Sequence, residues 1–318
     1  MEMNFSFYVI AGSIVKLFIL MLIGYFLYQR KVLNDKFVDT LSLLLVRVVF
    51  PALIISKTIT HFSFSEYEFW WFLPLTAVIF TAAGILLGSL IYPFLKNFNS
   101  QKEFLCGCAF HNCGYLPMNL IFFSFTGLLA DKLLIYTFLF IVGFNVLMWS
   151  VVPLFLSRGK NKISNTALLL NPPVIATVFS LGWVALMGKG TMPAILMDPI
   201  KQLGQAAFPL SMITLGAYLY RYRAHNPEHK FALTTCSVTK LFIFPAIVFI
   251  IMRYVNLSID YKFFLFLQSI MPTAVSLVVI GSYVNCDNKF LSSTIFYTHL
   301  ISIVTIPLWL MLFSMFIK

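Results

Sequence analysis

The most restrictive feature of this sequence is a succession of long apolar runs separated by short polar breaks. A helix that crosses a membrane needs about 20 apolar residues, and runs of that length recur along the whole chain. Ten candidate spans lie near residues 7–28, 37–56, 69–92, 104–125, 133–155, 167–187, 198–220, 231–254, 263–283 and 291–316. Only 10% of the 318 residues are charged, whereas water-soluble domains have about 25%. The sequence therefore predicts an all-α integral membrane protein with ten transmembrane helices.

Basic residues divide unevenly between the loops on opposite sides of the predicted bundle. The odd-numbered loops hold twelve: Arg30, Lys31, Lys36, Lys96, Lys102, Arg158, Lys160, Lys162, Arg221, Arg223, Lys230 and Lys289. The even-numbered loops and the two termini hold six: Lys57, Lys132, Lys189, Arg253, Lys262 and Lys318. Because basic loops remain on the cytoplasmic side, this difference predicts a multi-pass protein of the cell (inner) membrane with both termini outside. The same scatter accounts for the net charge of +11 without a nucleic acid as partner.

Two pairs of prolines recur at nearly the same interval. Pro51 in the second span lies in Phe-Pro-Ala-Leu-Ile-Ile-Ser, and Pro209 in the seventh lies in Phe-Pro-Leu-Ser-Met-Ile-Thr, 158 residues later. Pro117 in the fourth span and Pro272 in the ninth are 155 residues apart. The shared interval indicates an internal duplication, and the alternative is chance, because prolines are frequent in membrane helices.

The duplication divides the chain into two five-helix repeats, residues 1–156 and 157–318. Because each half has an odd number of spans, the second half enters the membrane upside down relative to the first. Inverted repeats with interrupted helices at matching positions are typical of secondary transporters. The sequence therefore predicts a 5+5 inverted repeat.

Spans four and nine are each interrupted by residues that do not suit a continuous helix. In span four, His111, Asn112, Gly114 and Pro117 fall within seven residues. Gly costs about 1 kcal/mol and Pro about 3 kcal/mol relative to Ala in a helix interior, and unwound backbone at membrane depth is tolerated only in a cavity or inside protein. Span nine has a milder interruption around Pro272. Both spans are predicted to be broken; kinked, continuous helices are the alternative.

The two breaks are predicted to form a substrate site near the middle of the bilayer. Proline suits the first position of a helix, so Pro117 and Pro272 are each expected to begin a second half-helix. The free backbone N–H groups at these starts would attract an anion, and Asn112 is the best-placed side chain to add hydrogen bonds. These N–H groups belong to residues around Met118, Asn119, Thr273 and Ala274. Further candidate site residues are Gly114, Asn145, Gln268 and Ser269.

Three cations near the middle of predicted spans favour an anionic ligand. Lys16, Arg47 and Lys240 lie at these positions, while all eleven acidic residues fall in loops or at span ends. A charge in the bilayer centre costs about 2.5–3.5 kcal/mol even on insertion scales, so cations without an interior carboxylate need an anion. The alternative is that each side chain extends to the membrane surface or contacts backbone carbonyls.

The coupling ion is left open between a proton and sodium. The apparent lack of an interior carboxylate argues against the scheme of sodium/proton antiporters that hold the ion on buried acids. His111 and His299 are the interior groups that titrate near neutral pH, with Arg47 and Lys240 as possible charge carriers.

Six segments in a fixed order are similar to those of a known family. They are Val48–Ile54, the Asn112-Cys113-Gly114 break followed by Pro117, Asn171–Thr177, Phe208–Ala217, Met271–Ala274 and Ile303–Pro307. Over essentially its full length, the chain resembles the auxin efflux carrier family, specifically its short bacterial members. His111 stands where Gly is more usual in that family, and Ser276 where Asn is expected.

The resemblance implies a fold, a substrate class and a site. The fold has crossed, broken helices four and nine in a transport domain of spans 3–5 and 8–10, and a scaffold of spans 1, 2, 6 and 7 that often forms a homodimer. The substrates are organic anions, indole-3-acetate in plant members and carboxylates such as malate or malonate in bacterial ones. The family's Asn in the fourth span corresponds to Asn112, and its crossover prolines to Pro117 and Pro272.

Other classes of membrane protein remain as alternatives. An integral-membrane enzyme would carry paired acids, HExxH or a P-loop, and the sequence has none of them. The five cysteines lack the spacing of a metal site, so no cofactor is predicted. A channel or sensor with an anion-binding cavity is the remaining alternative to a carrier.

Overall fold

The structure, a computed structural model, describes residues 7–96, 98–157, 171–223, 229–282, 284 and 286–317, in which helices are joined by short loops. The helices are α1 Phe7–Gln29, α2 Asp35–His61, α3 Phe72–Phe94, α4 Gln101–Ala109, α5 Tyr115–Ser124, α6 Gly127–Leu156, α7 Pro172–Met187, α8 Ala194–Gln205, α9 Ala207–Arg221, α10 Lys230–Tyr254, α11 Ile259–Ser269, α12 Ser276–Gly281 and α13 Asn288–Phe316. Residues 158–170, which hold Arg158, Lys160 and Lys162 near the start of the predicted second repeat, lie outside the described residues, as does Lys318.

Six of these helices are long and apolar enough to cross a membrane: α1, α2, α3, α6, α10 and α13. Their outward faces are apolar; on α3, for example, Leu86 and Leu90 are each 61% exposed. Surfaces of this kind are incompatible with water over a large area and are covered by lipid in a bilayer. The prediction of an all-helical integral membrane protein is therefore confirmed.

Three of the long helices contain one wider, π-helical turn. These turns are Leu45–Val49 in α2, Leu147–Val151 in α6 and Thr239–Ile243 in α10. Each ends two residues before a proline, namely Pro51, Pro153 and Pro245. A proline ring clashes with the carbonyl four residues earlier, and a wider turn relieves that clash without ending the helix. Such turns are frequent at functional sites, and the third one contains Lys240.

Glycines allow α1 and α9 to pack with their backbones in contact. A Cβ atom at Gly24 would overlap the backbone of Ile213, and one at Gly216 would overlap the backbone of Met21. Between membrane helices, close packing of small residues replaces the hydrophobic effect as the source of affinity. The two glycines therefore fix the distance between α1 and α9.

We expect Gly216→Ala to destabilise the protein, because the new methyl group forces α1 away from α9. Overpacking of this kind costs typically about 1–3 kcal/mol, and the melting temperature of the detergent-purified protein measures it. Gly182→Ala on α7 is the control, since a Cβ atom there meets nothing within 4 Å. Equal melting temperatures for the two variants would contradict this account of the α1–α9 contact.

Candidate functional site

Two interrupted helices meet in the protein interior. The first interruption separates α4, which ends at Ala109, from α5; the second separates α11, which ends at Ser269, from α12. The Asn112 N–H donates to the Pro272 carbonyl at 2.7 Å, and the Ala274 N–H donates to the Phe110 carbonyl at 3.0 Å. The backbone groups released by each break are thus satisfied by the other, which unwound chain at membrane depth requires.

Neither second half-helix begins at its proline: the one in span four begins before Pro117, and the one in span nine begins after Pro272. The prediction that Pro117 begins a helix is wrong by two residues, because α5 begins at Tyr115 and Pro117 is tolerated in its first turn. The prediction for Pro272 is also wrong: α12 begins at Ser276. Its physical reason is that the backbone on both sides of Thr273 is paired with the other break and is extended instead of helical.

The backbone N–H groups that were expected to face an anion already have partners. The Met118 N–H donates to the Gly114 carbonyl at 3.1 Å, and the Thr273 N–H donates to Thr298 Oγ1 at 3.2 Å. The Ala274 N–H is used by the pairing of the breaks. Side chains, and not these helix starts, are therefore the groups available for binding at this site.

Helix α13 supports both breaks from one face. Thr273 Oγ1 donates to the Gly107 carbonyl at 2.9 Å, while Thr298 accepts from the Thr273 backbone. His299 Nδ1 lies 2.8 Å from the Ile295 carbonyl, so this nitrogen carries the proton. Its Nε2 then accepts from the Asn112 amide at 3.2 Å. Thr298 was missed by the sequence reasoning, although Thr294, Thr298 and Ser302, four residues apart, mark this polar face.

Several fully buried polar atoms around the breaks have no hydrogen-bond partner within the described residues. They are Nε2 of His111, both amide atoms of Gln268, Oδ1 of Asn119 and Nζ of Lys240. Each of these residues is at most 1% exposed. Buried polar atoms in proteins are almost always hydrogen-bonded, so these atoms are candidate donors and acceptors for a bound molecule.

Lys240 supplies a cation with aromatic and thiol neighbours. Its Nζ lies 5.4 Å from the centre of the Phe244 ring, and its charge acts on Cys108, Cys113, Cys236 and His111 in its surroundings. His111 is itself enclosed by aromatic rings; the centroid distances are 6.3 Å to Phe80 and 5.5 Å to each of Phe140 and Phe144. His111 and Lys240 are therefore buried polar groups with aromatic rings around them.

Of the three cations expected in the interior, only Lys240 is buried. Lys16 and Arg47 are exposed on the faces of α1 and α2, so their predicted burial is wrong. Lys16 Nζ lies 6.0 Å from the centre of the Phe123 ring. Long basic side chains can cover apolar surface with their stems while the charge reaches the membrane surface. The case for an anion therefore depends on Lys240 alone.

An interior carboxylate is present, against the prediction. Glu103 is fully buried in the first turn of α4. Its Oε1 accepts the Asp287 N–H at 2.9 Å, and Asp287 Oδ2 accepts from Ser100 Oγ at 2.8 Å. A carboxylate in the first turn of a helix is stabilised by the helix dipole, which explains why an acid at a span end is buried here.

The remaining predicted site residues differ in their relation to the breaks. Ser269 is buried and donates to the Phe266 carbonyl at 2.6 Å. Asn119 donates to Ser211 Oγ on α9 and to the Tyr115 carbonyl, both at 2.8 Å. Asn145 is half-buried on α6 and makes no hydrogen bond to either break within the described part of the chain. Gly114 precedes α5, and a Cβ atom there would make only ordinary contacts, the nearest at 3.6 Å.

Comparisons with known proteins agree on one class. The profile of a family described as membrane transport protein matches residues 9–310. An uncharacterized transporter of Methanocaldococcus jannaschii is 28% identical over 306 residues, which are 92% of this chain and 94% of the relative. An uncharacterized transporter of Methanothermobacter thermautotrophicus is 26% identical over 310 residues, 93% of this chain and 96% of the relative.

Proposed function

Because this chain belongs to the membrane transport protein family, we propose that it is a secondary transporter that moves a small organic anion across the cell membrane by alternating access. The family match confirms the resemblance to the auxin efflux carriers. The substrates we propose are carboxylates such as malate or malonate, or an indole acid. Multi-pass insertion follows from the family and the apolar helices; the inner membrane, the outward termini and a homodimer remain predictions.

The proposed architecture is a 5+5 inverted repeat in which spans four and nine cross. Helices α1, α2 and α7–α9 form the scaffold, and α3–α6 with α10–α13 form the transport unit. The interruption at corresponding places in both halves and the hydrogen bonds between the two interruptions support this division. The glycine-mediated contact of α1 with α9 supports a rigid scaffold.

The observation that carries the anion proposal is Lys240, a fully buried lysine whose Nζ has no hydrogen-bond partner among the described residues. An isolated charge in a low-dielectric interior is strongly disfavoured, whereas a charge paired with a carboxylate and hydrogen-bonded is tolerated. A carboxylate bound to Lys240 would satisfy this side chain, and the amide of Gln268, which also lacks a partner among the described residues, is a second candidate donor. Asn112 holds the first break in place through its hydrogen bond to His299 on α13.

The same reasoning favours a proton as the coupling ion. Burial disfavours the charged form of a lysine, and a carboxylate beside the lysine favours it. Binding of the anion would therefore be accompanied by uptake of one proton. A monocarboxylate would then cross without net charge movement, while a dicarboxylate dianion would carry one negative charge.

The test is uptake of labelled malonate, malate and indole-3-acetate into proteoliposomes, with and without an imposed pH gradient. We expect saturable uptake of one of these acids, stimulated by the gradient, and at least about a tenfold decrease in Asn112→Ala, which corresponds to about 1.4 kcal/mol. Asn256→Ala, in the exposed loop after α10, is the matched control. Chemically unchanged acid inside the vesicles excludes an enzyme, and saturation excludes an open channel. If none of the acids accumulates or exchanges, the anion proposal fails.

A further inference from the structure

A cluster of cations lies away from the paired breaks and from Lys240, where α2 ends and α6 begins. A pocket between α2 and α8 is lined by Lys57, Thr60, His61, Lys201 and Gln205, together with Leu53 and Ser56. We call it the Lys57 pocket. None of its residues takes part in the hydrogen bonds that join the two breaks.

Beside the Lys57 pocket, two of its residues contact the carboxylate of Asp131. Lys57 Nζ lies 2.6 Å from Asp131 Oδ1, and His61 Nε2 lies 3.2 Å from Asp131 Oδ2. The Asp131 side chain is only 13% exposed, so this contact is largely shielded from water. Two donors on one helix thus hold both oxygens of a single carboxylate, which is the arrangement that recognises a carboxylate ligand.

The pocket retains more positive charge than Asp131 neutralises. Lys57 and Lys201 are both cations, and Lys201 forms no ion pair within the described residues. Asp198 lies one turn before Lys201 on α8, yet the two are not paired. The charges that act on His61 are Asp131, Lys57, Lys201 and Lys189, so cations outnumber acids around it.

Two other acids at this end of the molecule are paired with lysines outside the pocket. Lys132 pairs with Asp260 at 2.6 Å, and Lys189 pairs with Glu66. Burial raises the pKa of the Tyr67 phenol, so this side chain remains neutral. Lys201, which is exposed on α8, therefore has no ion-pair partner among the described residues and is accessible to an anion from solution.

Asp131 also joins two parts of the molecule. Lys57 and His61 belong to α2, in the proposed scaffold, while Asp131 belongs to α6, in the proposed transport unit. The same α6 carries Phe140 and Phe144, whose rings enclose His111. Release of Asp131 from α2 would remove a charged contact between the scaffold and the helix that borders the central site.

We propose that the Lys57 pocket is a second binding site for carboxylate anions, in which the ligand binds Lys57, His61 and Lys201 and displaces the Asp131 carboxylate. The binding step stands independently of the proposed function. Its consequence, the release of α6 from the scaffold before the anion reaches the central site, rests on the proposed function.

Titration of malonate into the detergent-purified full chain tests the binding step, with Lys240→Met as the parent so that the central site is disabled. Asp131→Asn removes the internal competitor, and we expect malonate to bind at least about fivefold more tightly than in the parent. Lys201→Gln removes a cation without touching Asp131, and we expect binding at least about fivefold weaker. Lys36→Gln, which removes an exposed lysine at the opposite end of α2, should leave the affinity unchanged.

Equal affinity of the parent, Asp131→Asn and Lys201→Gln would overturn the proposal, as would the absence of malonate binding in the parent and in Asp131→Asn alike. Melting temperatures without malonate identify any variant that has not folded, and Lys57→Gln then replaces it, with weaker binding expected. Uptake into proteoliposomes separates the two proposals. Pocket binding without any uptake would contradict the transport function alone, while uptake without pocket binding would contradict the second site alone.

Discussion

Replacement of Lys240 by methionine is expected to abolish uptake of the anion without lowering the stability of the protein. Removal of one member of a desolvated charge pair costs about 2–5 kcal/mol, enough to bring uptake to background. The fold should not suffer, because Nζ has no hydrogen-bond partner among the described residues and the unbranched methionine fills the space of the lysine stem. Substituting apolar residues for buried charges is often neutral or stabilising by about 1–4 kcal/mol.

The measurement combines proteoliposome uptake with the melting temperature in detergent. Lys16→Met is the matched control, because it removes a lysine that is exposed on α1, and we expect uptake near the wild-type rate. Loss of uptake together with a lower melting temperature in Lys240→Met would indicate a structural lysine. Wild-type uptake in that variant would remove Lys240 from the anion site.

Cross-linking α5 to α9 is expected to stop transport reversibly. The Phe122 and Phe208 rings, on α5 and α9, are stacked with centroids 4.0 Å apart. In alternating access, the transport unit that contains α5 must move relative to the scaffold that contains α9. A short bifunctional methanethiosulfonate reagent that joins cysteines in Phe122→Cys, Phe208→Cys would fit the space of the two rings and prevent this motion.

The expected result is background uptake after cross-linking and recovery after reduction. Tyr25→Cys, Tyr220→Cys is the matched control, since these rings lie 4.9 Å apart on α1 and α9, both in the proposed scaffold. The wild type treated with the reagent controls for the native cysteines, of which Cys108 and Cys236 are 3.5 Å apart. Undiminished uptake after cross-linking of Phe122→Cys, Phe208→Cys would show that transport does not require relative motion of α5 and α9.

Local composition was sufficient to place the helices and the interruptions. Apolar length defines a membrane span residue by residue, and the penalties for Gly and Pro act within one turn. The structure accordingly has helices in the regions of the predicted spans that it describes, with interruptions before Tyr115 and before Ser276. A further break at Ala206, between α8 and α9, divides the predicted seventh span and was not predicted. The exact half-helix starts could not be predicted, because they depend on hydrogen bonds between Phe110–Asn112 and Pro272–Ala274, far apart in the sequence.

The sequence by itself determined that this chain is a helical membrane protein with two interrupted spans, since hydropathy and backbone propensity are properties of short segments. Only the tertiary structure decided which polar groups are available in the interior. Lys16 and Lys240 look alike in sequence, yet one is exposed and the other is buried; Glu103 lies at a span end, yet it is buried too. Whether a side chain faces lipid, protein or a site depends on the helices packed around it, and those contacts come from distant parts of the chain.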